Sequence, residues 1–406
     1  MTTATLRAAQ AATFAIFGLN GLLIASWTAR LPVVADIFGL SPGGLGLLLL
    51  MVGLGSVLGL PLAGGIVDRL GTAGAVRAAG ALLGVAMSVI AVSLLNGWLF
   101  VCGAALFCLG FGVGVWDVAQ NIEGAEVERR GPKTIMPKFH AAFSGGAFVG
   151  ALLGGLLAHL GVPLWSHLFG VVALGTVVVI IVSRSFLPAH AEHPDDEQAP
   201  RSRWAAWAEP RTLAIGLVVL AAALTEGAAN DWVAKATVDG MGASGSGGAI
   251  MFAVFVASMT IFRYAGSALL DRFGRVATLR GCLAAAIVGL LIFVFAPSVY
   301  LAAVGAVLWG AGAALGFPVG MSAGADEPRH AAARVSVVST VGYGAFLLGP
   351  PLLGLLGDHV GIRHALLAVA AVCLISFLSA PAVRPRPSDR AAATTGPGGR
   401  VGDHER

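Results

Sequence analysis

Twelve apolar runs, most of them twenty residues or longer, divide this 406-residue chain almost end to end. They lie at 9–31, 43–67, 74–95, 98–122, 139–160 and 164–187, and again at 212–236, 247–270, 275–296, 299–324, 334–356 and 363–382. A helix needs about 20 apolar residues to cross the roughly 30 Å hydrocarbon layer, so each run has the length of one crossing. Composition closes the alternatives. Charged residues make up 11% of the chain, against about 25% in soluble domains, and mean hydropathy is +0.86. One water-soluble core cannot hide that much apolar surface. Soluble enzymes, nucleic-acid binders, coiled coils and disordered chains are excluded. A membrane β-barrel needs strands that alternate apolar and polar residues, whereas these runs are continuous. The expected fold is an all-α polytopic membrane protein with 12 transmembrane helices.

The runs fall into two sets of six. Between them lies 188–210 (PAHAEHPDDEQAPRSRWAAWAEP), rich in proline and charge, and after Val383 the tail has the composition of a disordered terminus. The expected organisation is therefore an N-terminal six-helix bundle at 1–187, a cytoplasmic linker at 188–210, a C-terminal six-helix bundle at 211–383 and a disordered tail at 384–406. The first run, preceded by Arg7, is too long and lacks a cleavage site for a signal peptide, so it reads as a retained helix. With both termini in the cytoplasm, 21 of the 25 Lys and Arg fall on cytoplasmic segments. Arg30, Lys235 and Arg363 fall outside, and Arg263 sits within a span. That asymmetry agrees with the positive-inside rule. The net charge of +4 thus reports topology and gives no reason to invoke nucleic acid.

The halves repeat one another. Residues 152–161 (LLGGLLAHLG) match 352–361 (LLGLLGDHVG) at an offset of 200, as Gly110 and Gly112 match Gly310 and Gly312. Asp68-Arg69-Leu70-Gly71 matches Asp271-Arg272-Phe273-Gly274 at 203, and Trp27-Thr28-Ala29-Arg30 matches Trp232-Val233-Ala234-Lys235 at 205. Four ordered matches read as a duplicated six-helix unit in parallel repeat, an architecture of secondary transporters whose solute site lies between the halves.

Gly64-x-x-x-Asp68-Arg69-x-Gly71 and its partner Asp271-Arg272-x-Gly274-Arg275 resemble the loop signature of the major facilitator superfamily, a resemblance that covers essentially the whole chain. Members usually carry two basic residues after the glycine; here Gly71 is succeeded by Thr72-Ala73, and Arg77 comes later. A finer resemblance joins Trp116-Asp117-Val118-Ala119-Gln120-Asn121 and Phe139-His140-Ala141-Ala142-Phe143-Ser144-Gly145 to the fourth and fifth helices of fucose-permease-like sugar symporters and related uncharacterised bacterial inner-membrane transporters. It implies a role for the acidic residue at Asp117 in proton-coupled substrate handling.

Ionisable side chains within a span are costly and point to function, with a partner inside the bundle. Asp117 has Gln120 and Asn121 at i+3 and i+4 on one face, and Gly110 and Gly114 continue that face, leaving space beside the carboxylate. It reads as a proton carrier or as a structural hydrogen-bonding group. Glu226 lies near mid-span with Asn230 at i+4, and is the second proton-coupling candidate. Asp231 and Lys235 form a separate i,i+4 pair. Arg263 either pairs with Glu226, holds an anionic solute group or locks an inner gate near Asp271. Asn20 lines the cavity or makes an interhelical hydrogen bond. Trp27 and Arg30 lie nearer the outer interface, and His140 is interfacial or a proton relay. His190, His193, Asp195 and Asp196 read as a solvated loop, not a metal site. Gly146, Gly150 and Gly154, and Gly312, Gly316, Gly320 and Gly324, form i+4 ladders suited to close helix packing. Pro318 and Pro350-Pro351 mark expected kinks.

Cys102, Cys108, Cys282 and Cys373 sit in apolar runs without CxxC spacing, and no Walker A, GxSxG or HExxH motif occurs. No cofactor or metal is expected, and no enzymatic activity. The sequence therefore predicts a monomeric secondary transporter of the cytoplasmic membrane that moves a small polar, sugar-like solute, coupled to protons, by alternating access. A proton-antiporting exporter of drugs or metabolites is the alternative. A solute-binding receptor that moves nothing is the rival of another class.

Overall fold

The computed structural model describes residues 3–131, 135–187, 203–327 and 331–385. Among the described residues every regular element is a helix, and eleven helices are long and apolar enough to cross a membrane. The first set comprises α1 (Thr3–Thr28), short α2 (Leu31–Phe38), α3 (Pro42–Asn96), α4 (Leu99–Arg130), α5 (Met136–His159) and α6 (Leu164–Val182). The second comprises α7 (Pro210–Met241), α8 (Gly245–Tyr264), α9 (Gly266–Phe295), α10 (Val299–Ala313), α11 (Gly316–Gly324), α12 (Ala331–Val360), α13 (Ile362–Ala365) and α14 (Leu367–Ser379). Most of the expected linker, with His190, His193, Asp195 and Asp196, lies outside the described residues, as does the tail from 386.

Twelve runs become eleven helices because α3 spans 55 residues and contains both the second and third runs. It is interrupted at Gly71, whose φ of 69° and ψ of 168° are not helical. Helix α9 is interrupted in the same way at Gly274, with φ 75° and ψ 166°. Only glycine adopts this region without strain, which explains why the loop signature ends in glycine in both copies. The repeat extends to other backbone positions: Gly39 and Gly242 have φ of 61° and 66°, and Gly161 and Gly361 have 70° and 80°. Ser41 and Ser244 likewise cap α3 and α8, accepting from the N–H of Gly44 and Gly247 at 3.2 and 3.1 Å.

The tenth run is broken at Ala314-Leu315, between α10 and α11. Pro318 stands four residues after Ala314, and its missing N–H leaves the Ala314 carbonyl without an intrahelical donor, so the expected kink falls one turn before the proline. Pro350 and Pro351 stand within a continuous α12.

Each set packs mainly within itself, and the two meet along two seams, α3 against α12 and α5 against α8. The seams are tightest towards the end of the molecule that carries Gly39, Gly161, Gly242 and Gly361. There a side chain on Gly46 would lie 2.5 Å from the carbonyl of Pro350, and one on Gly155 3.4 Å from Ala249. Towards the opposite end, which carries Gly71 and Gly274, the faces part: Gly64, Gly65, Gly145 and Gly344 face open space.

The glycine ladders have different fates. Gly146 and Gly150 bring α5 onto the backbone of α1, where a Cβ on Gly146 would stand 1.8 Å from the carbonyl of Gly18. The ladder of the tenth run is not one sliding face, because the break at Ala314 turns it. Gly312 meets α9 at Ala286, Gly316 and Gly320 meet α7 at Ala222 and Val219, and Gly324 meets α12 at Val335.

Candidate solute cavity and gate residues

Four polar side chains of the first set form one chain across α1 and α4. Asn20 Nδ2 donates to Gln120 Oε1 at 3.4 Å, and Gln120 Nε2 donates to Asp117 Oδ1 at 3.1 Å. Asn121 Nδ2 reaches the carbonyl of Asp117 at 2.8 Å and its Oδ1 at 3.2 Å. The i+3 and i+4 spacing on α4 puts both amides on the carboxylate's face, as their positions predict. Both donors are neutral amides, and among the described residues no cation pairs with Asp117. Gly110 and Gly114 do not leave space beside it. They are filled by α3, with Val52 O and Ser56 O where their Cβ atoms would reach, and Ser56 Oγ donates to Gly110 O at 3.0 Å.

From the second set, Tyr343 of α12 lies within electrostatic reach of Asp117. Its ring is 6.3 Å from that of Phe317 and 6.4 Å from that of Phe346. The sequence gives no sign of this aromatic group, because Tyr343 and Phe346 are two unremarkable members of an apolar run.

The second polar group spans both sets. Arg263 NH2 pairs with Glu226 Oε2 at 2.6 Å, its Nε donates to the carbonyl of Ala314 at 3.2 Å, and its NH1 reaches Ser144 Oγ of α5 at 3.4 Å. Arg263 thus forms the pair with Glu226 that was one of its three expected roles. The break at Ala314-Leu315 frees the carbonyl that Arg263 uses. His140, one turn from Ser144 and edge-on to Phe17, stands within electrostatic reach of Arg263 and Glu226. Asn230 is half-buried and makes no side-chain hydrogen bond among the described residues.

The expected Asp231–Lys235 pair is not formed. Lys235 pairs instead with Asp239 at 2.8 Å, four residues on the other side. Asp239 is nearer the helix end and 38% exposed, so this pair joins the buried lysine to a carboxylate that keeps its own contact with water. Asp231 is left half-buried without an ion pair among the described residues.

The residue after each signature glycine gives the loop its physical meaning. Arg275, after Gly274, pairs with Asp326 Oδ1 at 2.6 Å and donates to Ser322 Oγ at 2.9 Å. Thr72, after Gly71, donates to Glu123 Oε2 at 2.7 Å. Asp326 and Glu123 stand 203 residues apart, the same offset as Gly71 and Gly274. The missing basic residue in the first copy is therefore replaced by a hydroxyl donor to the equivalent acid. Glu123, only 1% exposed, also accepts from the N–H of Leu187 at 2.7 Å, tying the end of α6 to α3 and α4. The shared offset was a usable signal for this pair. Asp68, Arg69, Asp271 and Arg272 are exposed at the parted end, Arg272 over the ring of Phe273 at 5.3 Å.

Residues 215–401 match the model of the Major Facilitator Superfamily. An uncharacterised transporter of Sinorhizobium fredii is 31% identical over 373 residues, covering 91% of this chain and 96% of the relative. An uncharacterised MFS-type transporter of Yersinia pestis is 29% identical, covering 92% and 95%. Among solved structures, the nucleoside transporter NupG superposes with a TM-score of 0.74 at 15% identity, over 92% of this chain and 99% of that one. The Escherichia coli fucose:proton symporter FucP gives 0.62 at 15% identity, over 92% and 98%. At these identities the two structures speak for the fold alone. The multi-pass helical fold, the repeated loop signature and the full-length relatives lead to one conclusion: this chain is a membrane transporter belonging to the major facilitator superfamily.

Proposed function

We propose that the protein is a proton-coupled importer of a small polar, sugar-like solute in the bacterial cytoplasmic membrane. The interruption at Gly71 divides α3 into two crossings, which supports twelve spans in two six-helix bundles, 1–187 and 211–383, acting as a monomer. The parted end carries Arg77, Arg129, Arg130, Arg211, Arg275 and Arg334, so the positive-inside rule makes it cytoplasmic and the described conformation inward-open. Transport then consists of closing that end while the α3–α12 and α5–α8 seams open at the other.

The observation that carries the coupling is the difference between the two acids. Glu226 has its charge matched by Arg263 at 2.6 Å. Asp117 has only amide donors, so taking up a proton breaks no ion pair. Asp117 is the proton carrier, and Glu226–Arg263, with its reach to Ser144, is the link between halves that solute binding rearranges. The half-buried amides of Asn121 and Asn230 supply hydrogen bonds to hydroxyls, while Asn20 and Gln120, each 1% exposed and bonded to one another, hold the Asp117 network from behind instead of lining the cavity as expected; the rings of Tyr343, Phe317 and Phe346 supply a surface for the C–H face of a ring. Polar amides opposite aromatic rings favour an uncharged ring solute. The fucose:proton symporter FucP and the nucleoside transporter NupG, which share the fold, move solutes of that kind.

The test is proton flux driven by candidate sugars and nucleosides in proteoliposomes. Asp117→Asn is expected to abolish solute-driven proton flux while retaining exchange of labelled solute. Loss of both activities, or retention of proton flux, would overturn the assignment. Absence of any solute exchange by the wild type would favour a receptor.

A further inference from the structure

Arg30 sits in the turn between α1 and α2 and is 5% exposed. Its NH2 donates to the carbonyl of Val162 at 3.2 Å and its NH1 to that of Gly154 at 3.5 Å, while Nε is buried with no partner. Among the described residues no carboxylate pairs with it; Asp36, the one acid of α2, lies on the exposed face of that helix. A titratable neighbour is His167 of α6, which flanks Gly154 together with Arg30 and whose two ring nitrogens are buried without partners. It offers no negative charge.

The contrast with Arg363 isolates what is unusual here. Arg363, at the same end of the molecule, donates to the carbonyls of Phe293, Ala296 and Gly240, where α9 and α7 run out. It is a saturated staple on helix C-termini, a place where cations are favoured. Arg30 holds one carbonyl from within α5 and one from the turn after it, and keeps donors unused. A buried cation so placed is costly without an anion.

A cavity of about 260 Å³ opens beside Arg30, walled by Val33, Ile37, Leu94, Leu164 and Trp165. Trp165 is partly exposed at its rim, and Trp98, half-exposed, stands at the same end before α4. Tryptophans at this level mark the membrane–water interface. One cation at headgroup depth with apolar walls matches an amphiphile whose head is anionic and whose tail is hydrocarbon, and a guanidinium suits phosphate in particular.

We infer that Arg30 and the adjoining cavity form a lipid site that takes the phosphate of a glycerophospholipid, with an acyl chain along Val33, Ile37 and Leu94. The inference is independent of solute, direction and proton carrier.

The test uses the delipidated full-length protein in detergent, read by native mass spectrometry and thermal shift, with phosphatidylglycerol, diacylglycerol and inorganic phosphate as probes. Phosphatidylglycerol is expected to form a one-to-one adduct that survives activation and raises the melting temperature. Arg30→Gln is expected to weaken it about tenfold, the loss of one charge-assisted pair. Val33→Trp fills the cavity while leaving Arg30 and its carbonyls in place, and is expected to abolish the adduct; it carries the test if Arg30→Gln does not fold. Equal retention of diacylglycerol, an adduct undiminished in Val33→Trp, or stabilisation by inorganic phosphate but not by lipid would each overturn the lipid site.

Discussion

Asp358 of α12 reaches across the seam to the other half of the molecule, and its removal should change the conformational equilibrium more than the stability of the fold. Its Oδ1 accepts from the N–H of Gly43 at 2.9 Å and its Oδ2 from Ser41 Oγ at 3.3 Å. The first turn of α3 shows why this contact has a partner to meet. Pro42 has no N–H, Gly44 donates to Ser41 Oγ, and Leu45 donates to Ser41 O at 2.9 Å. Gly43 holds the one first-turn donor that α3 cannot satisfy itself, and Asp358 satisfies it from the other set. A carboxylate at an exposed helix N-terminus is worth about 0.5–1 kcal/mol. Because the bond exists only while this end is closed, Asp358→Ala should shift the population towards the state open at this end by about two- to fivefold. Gly43→Ala should act in the same direction, since its Cβ would stand 2.1 Å from Asp358 Oδ2. The two together should be less than additive, as expected of one contact. The assay is electron–electron distance measurement between spin labels at His159 and Ser246, on the other seam, in a background without the native cysteines. An unchanged distance distribution in both variants would refute the reasoning. So would a fall in melting temperature without redistribution, because it would make Asp358 a folding residue only.

Three further outcomes are expected from the packing and hydrogen bonds. Glu123→Ala removes the acceptor for both Thr72 and Leu187 in a buried place, and should cost about 2–3 kcal/mol, seen as a lower melting temperature in detergent; an unchanged transition counts against the tie. Gly146→Ala places a methyl 1.8 Å from the carbonyl of Gly18 and should destabilise by about 1–3 kcal/mol through overpacking, whereas Gly145→Ala, which faces open space, should leave the melting temperature unchanged. Tyr343→Ala should weaken solute binding about tenfold, the worth of one ring face, with little effect on stability; calorimetric titration with the solute found in exchange assays checks it.

The membrane fold was legible because each crossing is a local property, roughly 20 consecutive apolar residues, and because the repeat marks the same turns twice. Gly71 and Gly274 stand out as motif residues, and their left-handed backbone explains why the motif needs glycine. The Asp117–Gln120–Asn121 group was legible for the same reason, since i+3 and i+4 neighbours on one helix do not depend on the rest of the fold. Contacts between helices were not. Lys235 has an acid four residues away on each side, and the spacing alone does not say that it pairs with Asp239 and not Asp231. Gly110 and Gly114 read as free space because a sequence does not show that α3 fills them. Tyr343 comes within electrostatic reach of Asp117 from 226 positions away, a distance over which no periodicity carries information.

The unequal fastenings after Gly71 and Gly274 make the two halves differ mechanically. The first is held by a hydroxyl and a backbone amide on the buried Glu123, with only the local pairs of Arg129 and Arg130 on Glu126 beside it. The second is held by a web of opposite charges, Arg275 and Arg211 on Asp326, and Arg334 on Glu209 and Glu327, partly open to water and therefore subject to ionic screening. Raising ionic strength should loosen the end that carries Gly274 more than the matching end of the other half. If the halves rock as proposed, one would serve as the stiffer frame, and the other would be the part whose compliance ionic strength sets.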